Sequence, residues 1–440
     1  MVMPGTPTIT ARPSEELMVV AWFLVTFTVF PRDELILYPL ALYFFYAFFR
    51  DGRATFPILR DCWPLMLLPV WAVLSSPVAV VPIVAFRSGV QMILTIQICI
   101  LLVAWLRPRE IVLIAFAATG ICGVLSLFIT SYHDGAMTGI FAHKNMLGAK
   151  MLLLFLSAFC VMLDRWMGLW VRLSAVGGVA LSFTLILASH SATALVLAML
   201  IAGLIATFSF FAGRGRDTPP DRMAIGLIIV GALVTGIPVV LSLMQQSPLA
   251  ILLENLGKSS TLTGRTELWT YARDVIAERP VVGHGAGGFW RYEENDLVRQ
   301  IFAEFHKSPN QVFSFHNSYL EVTVHFGKIG LALTLLTIVW TMSRLLRQMF
   351  WRGGMPFVFF ATVAVVELTR AGVESELMRA FILGNMLMWV GAIYVSRYPF
   401  RVAPDMMRPR TLRQDPGPRW VAGSVPFRSE YRPRHHRQTS

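Results

Sequence analysis

Three short segments carry side chains whose types and spacing suit chemistry at charged or hydroxyl groups. The first is Gly264-Arg265-Thr266-Glu267-Leu268-Trp269, at the start of a stretch with helical spacing. An arginine there offers a planar guanidinium fork beside free backbone N–H groups, and that combination suits a phosphate or diphosphate. A simple surface pair between Arg265 and Glu267 is the structural alternative.

The second segment is His316-Asn317-Ser318-Tyr319-Leu320-Glu321, which directly precedes an apolar stretch. A neutral imidazole in that position can take a proton from a hydroxyl group near neutral pH. It therefore predicts a general base at His316. The alternative is that the segment only caps a helix at a membrane interface.

The third segment is Gly139-Ile140-Phe141-Ala142-His143-Lys144-Asn145, before another apolar stretch, where a cation stands among hydrogen-bonding groups. Its alternative is a lysine that reaches back to the membrane surface. Charges also cluster between the last two apolar stretches, at Arg370, Glu374, Glu376 and Arg379. Charged groups at membrane depth are costly, which indicates functional or mutually paired roles.

Two further patterns do not support a site. The run Gly283-His284-Gly285-Ala286-Gly287-Gly288 matches G-x-G-x-x-G, but no strand or βαβ unit surrounds it, so a dinucleotide site is not expected. Asp33-Glu34 and the acidic residues Glu293, Glu294 and Asp296 lack the organisation of a metal site. No metal and no cofactor are therefore predicted. The four cysteines stand singly within apolar runs, which indicates packing roles.

The elements that must position these groups follow from composition. The chain has 440 residues, of which 55% are hydrophobic and only 15% are charged, with a mean hydropathy of +0.60. So few charges cannot cover a soluble surface, which excludes a water-soluble enzyme and a disordered chain. The prediction is an all-α polytopic membrane protein. Its apolar windows indicate about twelve spans, near 17–30, 34–49, 61–77, 87–105, 110–130, 145–163, 169–188, 191–212, 223–245, 318–343, 354–370 and 376–396.

The orientation of the chain in the membrane follows from the arginines and lysines of its short loops. These residues concentrate in the short loops that lie on the same side of the membrane as both termini, and such loops are typically cytoplasmic. Both termini are therefore expected in the cytoplasm, and the long loop is expected outside. Four regions result: spans 1–9 in residues 1–245, the long loop with short helices in 246–317, spans 10–12 in 318–396, and a disordered basic tail in 397–440. The tail supplies much of the net charge of +12, so nucleic acid is not an expected partner.

The motifs, in this order and on this topology, resemble the O-antigen ligase/polymerase superfamily. The resemblance rests on Gly264-Arg265-x-x-Leu268-Trp269, Pro280-x-x-Gly283-x-Gly285, His316-Asn317-Ser318-Tyr319-Leu320 and the upstream Gly139-x-Phe141-x-His143-Lys144-Asn145. The combination is similar to the branch that polymerises exopolysaccharides in the rhizobial, succinoglycan-type pathway. It implies a scaffold like that of the GT-C glycosyltransferases, with one large periplasmic loop between helices 9 and 10.

The resemblance also implies roles for particular residues. Arg265 falls on the arginine that grips the diphosphate of the lipid donor, and His316 falls on the candidate base. A further arginine of many members is missing here, because Ser189 is followed by His190 and Ser191. A substitute cation is then expected from Lys144, Arg370 or Arg379. The predicted substrate-binding residues are His143, Lys144, Asn145, Asn317, Arg370 and Arg379.

The function that follows is polymerisation of undecaprenyl-diphosphate-linked oligosaccharide repeat units into exopolysaccharide, at the periplasmic face of the bacterial inner membrane and without a metal. The expected partners are the lipid-linked donor, the glycan acceptor, the lipid bilayer and a polysaccharide export protein that regulates chain length. One alternative is a ligase that transfers finished glycan to a lipid acceptor. A secondary transporter with twelve helices is an alternative from another class, but it predicts inverted repeats rather than one long loop.

Overall fold

The computed structural model describes residues 12–28, 32–129, 131–133, 135–211 and 263–397. Helices dominate these ranges, and one antiparallel pair of two-residue strands, β1 (Tyr132–His133) and β2 (Ala136–Met137), precedes the third motif. The helices are α1 (Pro13–Phe27), α2 (Glu34–Arg50), α3 (Gly52–Asp61), α4 (Leu67–Leu74), α5 (Pro82–Trp105), α6 (Pro108–Phe128), α7 (Lys144–Leu163), α8 (Leu169–Ala188), α9 (Ala192–Phe211), α10 (Thr263–Glu278), α11 (Asp296–Glu304), α12 (Ser318–Arg352), α13 (Met355–Ala371) and α14 (Leu383–Arg397).

Six helices in the described ranges are long and apolar enough to cross a membrane by length and composition. They are the spans within α5, α6, α7, α8, α9 and α12. A bent pair, α3 with residues 63–78, would make a seventh and turns by 87°. The chain is therefore a multi-pass helical membrane protein. Helices α1, α2, α13 and α14 overlap four more of the predicted spans but have 15 to 17 residues each. The span predicted at 223–245 lies outside the described residues, and the total of twelve stays a prediction.

Two predicted spans differ from the structure. The stretch 61–77 is not one straight helix, because α4 is preceded and followed by short 3-10 turns at Trp63–Met66 and Ser76–Val78. The last span was expected from residue 376, but α14 begins only at Leu383. The early start is wrong because residues 372–382 form a turn in which Met378 and Phe381 have positive φ, and side chains of α12 hold that turn.

The main core lies among α5, α13 and α14, whose facing side chains are buried. Helix α13 is buried around most of its circumference, as expected for a helix that is apolar on all sides. The hydroxyl of Tyr394 on α14 donates to the carbonyl of Leu106 at the end of α5, at 2.7 Å. All four cysteines are buried and free, which agrees with their predicted packing role.

The described part of the long loop has a small core of its own. Leu268, Ala272 and Val275 project from one face of α10 against Phe289 and Phe315. Helix α10 covers the stretch predicted to be helical, and it ends two residues before Pro280, which cannot continue a helix. The loop residues thus form a packed unit with the start of α12, and that unit carries two of the three motifs.

The glycine run, residues 283–288, connects this unit to α12 by packing against a kink in that helix. Gly327 interrupts α12 with φ 67° and ψ −173°, and the break frees backbone groups that a membrane helix must satisfy elsewhere. The N–H groups of His284 and Gly285 donate to Val324 and His325, both at 2.8 Å. In the other direction, the N–H of Lys328 donates to the carbonyl of Pro280 at 2.8 Å. The run is thus a structural connector between the long loop and α12.

Substitution of Gly327 by alanine should destabilise this connection. A Cβ at Gly327 would lie 2.0 Å from the carbonyl oxygen of Val281, in a conformation that side chains rarely adopt. Backbone strain of this kind alone costs about 1–3 kcal/mol, so thermal unfolding in detergent should begin at a clearly lower temperature. Gly203→Ala is the matched control, because Gly203 lies in α9 and a Cβ there meets nothing within 4 Å. Equal melting temperatures for both variants would contradict the docking role.

Candidate functional site

His316 is held in place by its neighbours on both sides. Asn317 caps α12, and its Oδ1 accepts from the N–H groups of Tyr319 at 3.0 Å and Leu320 at 3.2 Å. His316 itself adopts a left-handed conformation with φ 48°, which is uncommon outside glycine. That conformation turns the chain from the loop into the helix. The second motif therefore forms the helix cap that was its structural alternative, and the cap sets the direction of the imidazole.

The residue before His316 links the first motif to the second. The N–H of Phe315 donates to Glu321 Oε2 at 2.9 Å, and its carbonyl accepts from Trp269 Nε1 at 2.9 Å. Glu321 also accepts from Trp290 Nε1 at 2.7 Å. A buried carboxylate with these donors is well satisfied, so the backbone beside His316 is fixed from α10 and α12 together.

The two predicted catalytic residues meet at one carboxylate, Glu374. His316 Nδ1 lies 3.5 Å from Glu374 Oε2, and Arg265 Nη2 lies 3.8 Å from Glu374 Oε1. Burial raises the pKa of Glu374, but the hydrogen bond with His316 and the charge of Arg265 outweigh burial and leave the pKa below its ordinary value. Burial lowers the pKa of Arg265, and Glu374 opposes that effect. Sequence reasoning placed Glu374 near this depth without assigning it a role.

The backbone of the turn at residues 372–382 is held by hydrogen bonds from the start of α12, and these bonds fix the position of Glu374. Ser318 Oγ donates to the carbonyl of Glu374 at 2.6 Å and accepts from the N–H of Leu377 at 3.1 Å. Asn317 contributes twice, through its N–H to Ser375 Oγ at 3.1 Å and its Nδ2 to the carbonyl of Gly372 at 3.4 Å. The side chain of Asn317, predicted to bind substrate, is therefore engaged in capping and in holding the turn.

A cavity of about 640 Å³ opens beside this cluster. His316, Glu374 and Arg379 line it, together with Glu321, His325 and several aromatic rings. Arg379 is exposed, and within the part of the chain that the structure describes no carboxylate lies within 4.0 Å of its guanidinium. Arg265 does not line the cavity itself, but it contacts Glu374, which does. The cavity thus combines an imidazole, an available guanidinium and apolar surface.

Arg370, another predicted cation, is already neutralised. Its Nη1 lies 3.2 Å from both carboxylate oxygens of Glu367, and its Nη2 lies 2.6 Å from Glu376 Oε2. Burial raises the pKa of Glu376, and the nearby charges of Arg370 and Lys150 outweigh burial and lower it. Sequence reasoning missed Lys150 and Glu367, although a charge inside an apolar span is itself a signal. The pairing that was the alternative for this cluster holds for Arg370.

The third motif lies at the start of α7. His143 caps that helix, and its Nδ1 accepts from the N–H of Met146 at 3.2 Å. The residues that line the cavity do not include His143, Lys144 or Asn145. Of the eight predicted site residues, the structure brings Arg265, His316, Asn317 and Arg379 to the Glu374 turn, and Arg370 to its buried side.

The acidic residues that could suggest a metal are dispersed. In the described ranges, no group of three His, Cys, Asp or Glu side chains lies close enough to hold an ion. Glu294 pairs with Arg291, and Asp296 pairs with Arg299 on α11. His284 Nε2 lies 3.4 Å from Glu278 Oε2. His284 belongs to the glycine run that docks on α12.

Fold and site together define a class, namely a multi-pass helical membrane protein whose loop arginine and helix-entry histidine meet beside a cavity. A family model described as O-antigen ligase matches residues 177–335, which contain Arg265 and His316. The chain is also 27% identical over 347 residues to the exopolysaccharide production protein ExoQ of Rhizobium meliloti, covering 77% of each chain. The predicted resemblance to the O-antigen ligase/polymerase superfamily is thereby confirmed by both comparisons.

A second similarity is shorter. Over 94 residues the chain is 29% identical to an uncharacterized protein of Haemophilus influenzae, which covers 21% of this chain and 23% of that protein. This match extends the similarity to a protein of another bacterium and adds no information about function.

Proposed function

We propose that this protein is an inner-membrane glycosyltransferase that polymerises undecaprenyl-diphosphate-linked oligosaccharide repeat units into exopolysaccharide at the periplasmic face. The observation that carries the proposal is the meeting of Arg265 and His316 at Glu374, beside a cavity of about 640 Å³. The proposed topology has twelve spans, both termini in the cytoplasm and the long loop in the periplasm. The charge bias of the short loops supports that topology.

The base in this proposal is His316. A proton on Nδ1, directed to Glu374, leaves the lone pair of Nε2 for the acceptor hydroxyl. The acceptor oxygen then attacks the anomeric carbon of the donor glycan, and the bond from that carbon to the diphosphate oxygen breaks. The hydroxyl proton passes to His316. Because the pKa of Glu374 is low, its carboxylate stays ionised and stabilises the imidazolium that forms.

The leaving diphosphate needs cations, and arginines suit that purpose because they bind phosphate oxygens in pairs. We assign Arg265 as one cation. Arg379 is the best substitute for the missing family arginine, since it lines the cavity and Arg370 is engaged by two carboxylates. With charge neutralised by arginine, the step requires no metal. The substrate-binding roles of His143, Lys144 and Asn145 stay predictions.

Loss of this protein should leave single repeat units on the lipid carrier. A polymerase joins units, so a deletion strain should accumulate one-unit diphosphate-linked oligosaccharide and lose high-mass exopolysaccharide. The measurement is mass spectrometry of the extracted lipid-linked pool. Complementation with the Arg273→Ala variant should restore polymer, because Arg273 lies exposed on the same helix as Arg265.

The second candidate is a ligase, which the description of the matching family model favours. Deletion of a ligase would instead leave long polymer attached to the carrier. Detection of long carrier-linked glycan in the deletion strain would therefore overturn the polymerase assignment and support the ligase.

A further inference from the structure

The cavity has two walls of different chemistry, and they imply two different occupants. One wall comes from the turn at residues 372–382 and carries Glu374, Glu376 and Arg379. The other wall comes from the long loop and is aromatic, with Trp290, Tyr292, Phe302 and Phe313 lining it. We propose that this aromatic wall is the binding site for the terminal sugar of the acceptor glycan. The inference rests on the proposed function and assigns one wall of its site.

The aromatic wall stands on a buried aromatic layer, and Lys307 Nζ lies 5.5 Å from the ring centroid of Phe313. Phe289 and Phe315 are buried beneath it, at 2% and 0% exposed. Trp290 and Phe313 stand above them and are only half-buried, with ring centroids 5.5 Å apart and planes at 73°. Trp290 is fixed by its hydrogen bond to Glu321. A wall held from behind in this way presents ring surface to the cavity with little conformational freedom to lose on binding.

The chemistry of ring faces selects the ligand. Aromatic faces are electron-rich, so they attract the weakly positive C–H face of a sugar ring and disfavour a diphosphate. Hydroxyl groups around a sugar also need hydrogen-bond partners, and Gln311 and Ser314 flank Phe313 while Ser88 and Gln91 line the cavity from α5. Aromatic faces with amides and hydroxyls at the edges fit a neutral sugar ring.

Position distinguishes the acceptor from the donor. The ring of Phe313 lies 5.7 Å from that of His316, centroid to centroid, at 75°. The proposed base must reach the acceptor hydroxyl, so the sugar beside Phe313 is the one that loses a proton. The donor sugar is tied to its diphosphate, which belongs near the arginines. At the rim, Val312 is 90% exposed, and this leaves an open path for the rest of a long acceptor chain.

The test separates acceptor binding from donor binding. Oligosaccharide released by mild acid from the lipid-linked pool of the deletion strain lacks diphosphate, so it can accept a glycan but cannot donate one. Purified protein in liposomes receives labelled oligosaccharide of this kind together with lipid-linked donor. In Phe313→Leu, which loses the flat ring but stays apolar, KM for the labelled acceptor should rise about 3- to 10-fold. KM for the donor should stay unchanged, and Phe313→Tyr should behave like wild type.

Phe305→Leu is the matched control, because Phe305 packs on Phe313 with centroids 5.8 Å apart but does not line the cavity. Its KM values should equal those of wild type. A rise in donor KM for Phe313→Leu, unchanged KM values, or no use of the labelled acceptor by wild type would overturn the proposal. Polymer formation from lipid-linked units alone is followed in parallel. If wild type also fails there, the proposed function itself has failed.

Discussion

Replacement of Arg265 by alanine should lower the rate of glycan transfer about 10²- to 10³-fold, the usual loss when one donor to a developing anion is removed. In the proposed mechanism the guanidinium neutralises the diphosphate as it leaves, and its half-buried position beside Glu374 limits the water that can replace it. Arg265→Lys keeps the charge but loses the paired N–H groups, so its activity should fall between alanine and wild type. The measurement is the initial rate of polymer formation by purified protein.

Arg273→Ala provides the control for this substitution. It removes an exposed arginine from α10, two turns beyond Arg265, and should leave the rate within about twofold of wild type. All three variants should be present in the membrane at equal levels, since neither side chain belongs to the loop core. Full activity of Arg265→Ala would remove the diphosphate role and leave Arg265 as a surface partner of Glu374.

Replacement of His316 should lower the rate of glycan transfer about 10²- to 10⁴-fold and should also change its pH profile. A base must be unprotonated to accept a proton, so wild-type turnover should fall toward acidic pH. Glu374 does not produce this fall above its own pKa, which lies below the ordinary carboxylate value. The residual activity of His316→Gly should not show this fall toward acidic pH.

The choice of glycine matters because His316 has φ 48°, and glycine adopts that conformation without strain. His306→Gly is the matched control, since His306 is an exposed residue of the long loop and has a similar φ of 50°. It should retain wild-type rate and pH profile. If His316→Gly instead keeps both, the imidazole only turns the chain into α12, and the base lies among His143, His190 and His284.

Local pattern was sufficient to predict most of the described long helices. Apolar windows coincide with the six candidate spans of the described residues, and the spacing of Leu268, Ala272 and Val275 indicated α10, whose end follows from Pro280. The same pattern failed at residues 376–382, which are apolar enough for a helix. Ser318 and Asn317 hold that stretch as a turn, and such contacts between distant segments leave no local signature.

The site was only partly predictable for the same reason. Motif order predicted a site with Arg265 and His316, but it did not indicate that Glu374 contacts both, because that contact depends on how α13 and α14 are connected. Nor did spacing distinguish the cations. Arg370 and Arg379 look alike in the sequence, yet only Arg370 faces two carboxylates. In the sequence the glycine run matches a dinucleotide-binding pattern, and its contact with the kink at Gly327 is visible only in the folded chain.

The most direct measurement is glycan transfer by purified protein in liposomes that contain lipid-linked repeat units and EDTA. We expect a ladder of high-mass glycan together with released undecaprenyl diphosphate, because in the proposed mechanism arginines rather than a metal neutralise the leaving group. The variants Arg265→Ala and His316→Gly should form no ladder over the same interval, whereas Asp33→Ala should match wild type. A ladder that disappears with EDTA, returns with Mg²⁺ and is lost in Asp33→Ala would contradict the arginine–histidine mechanism.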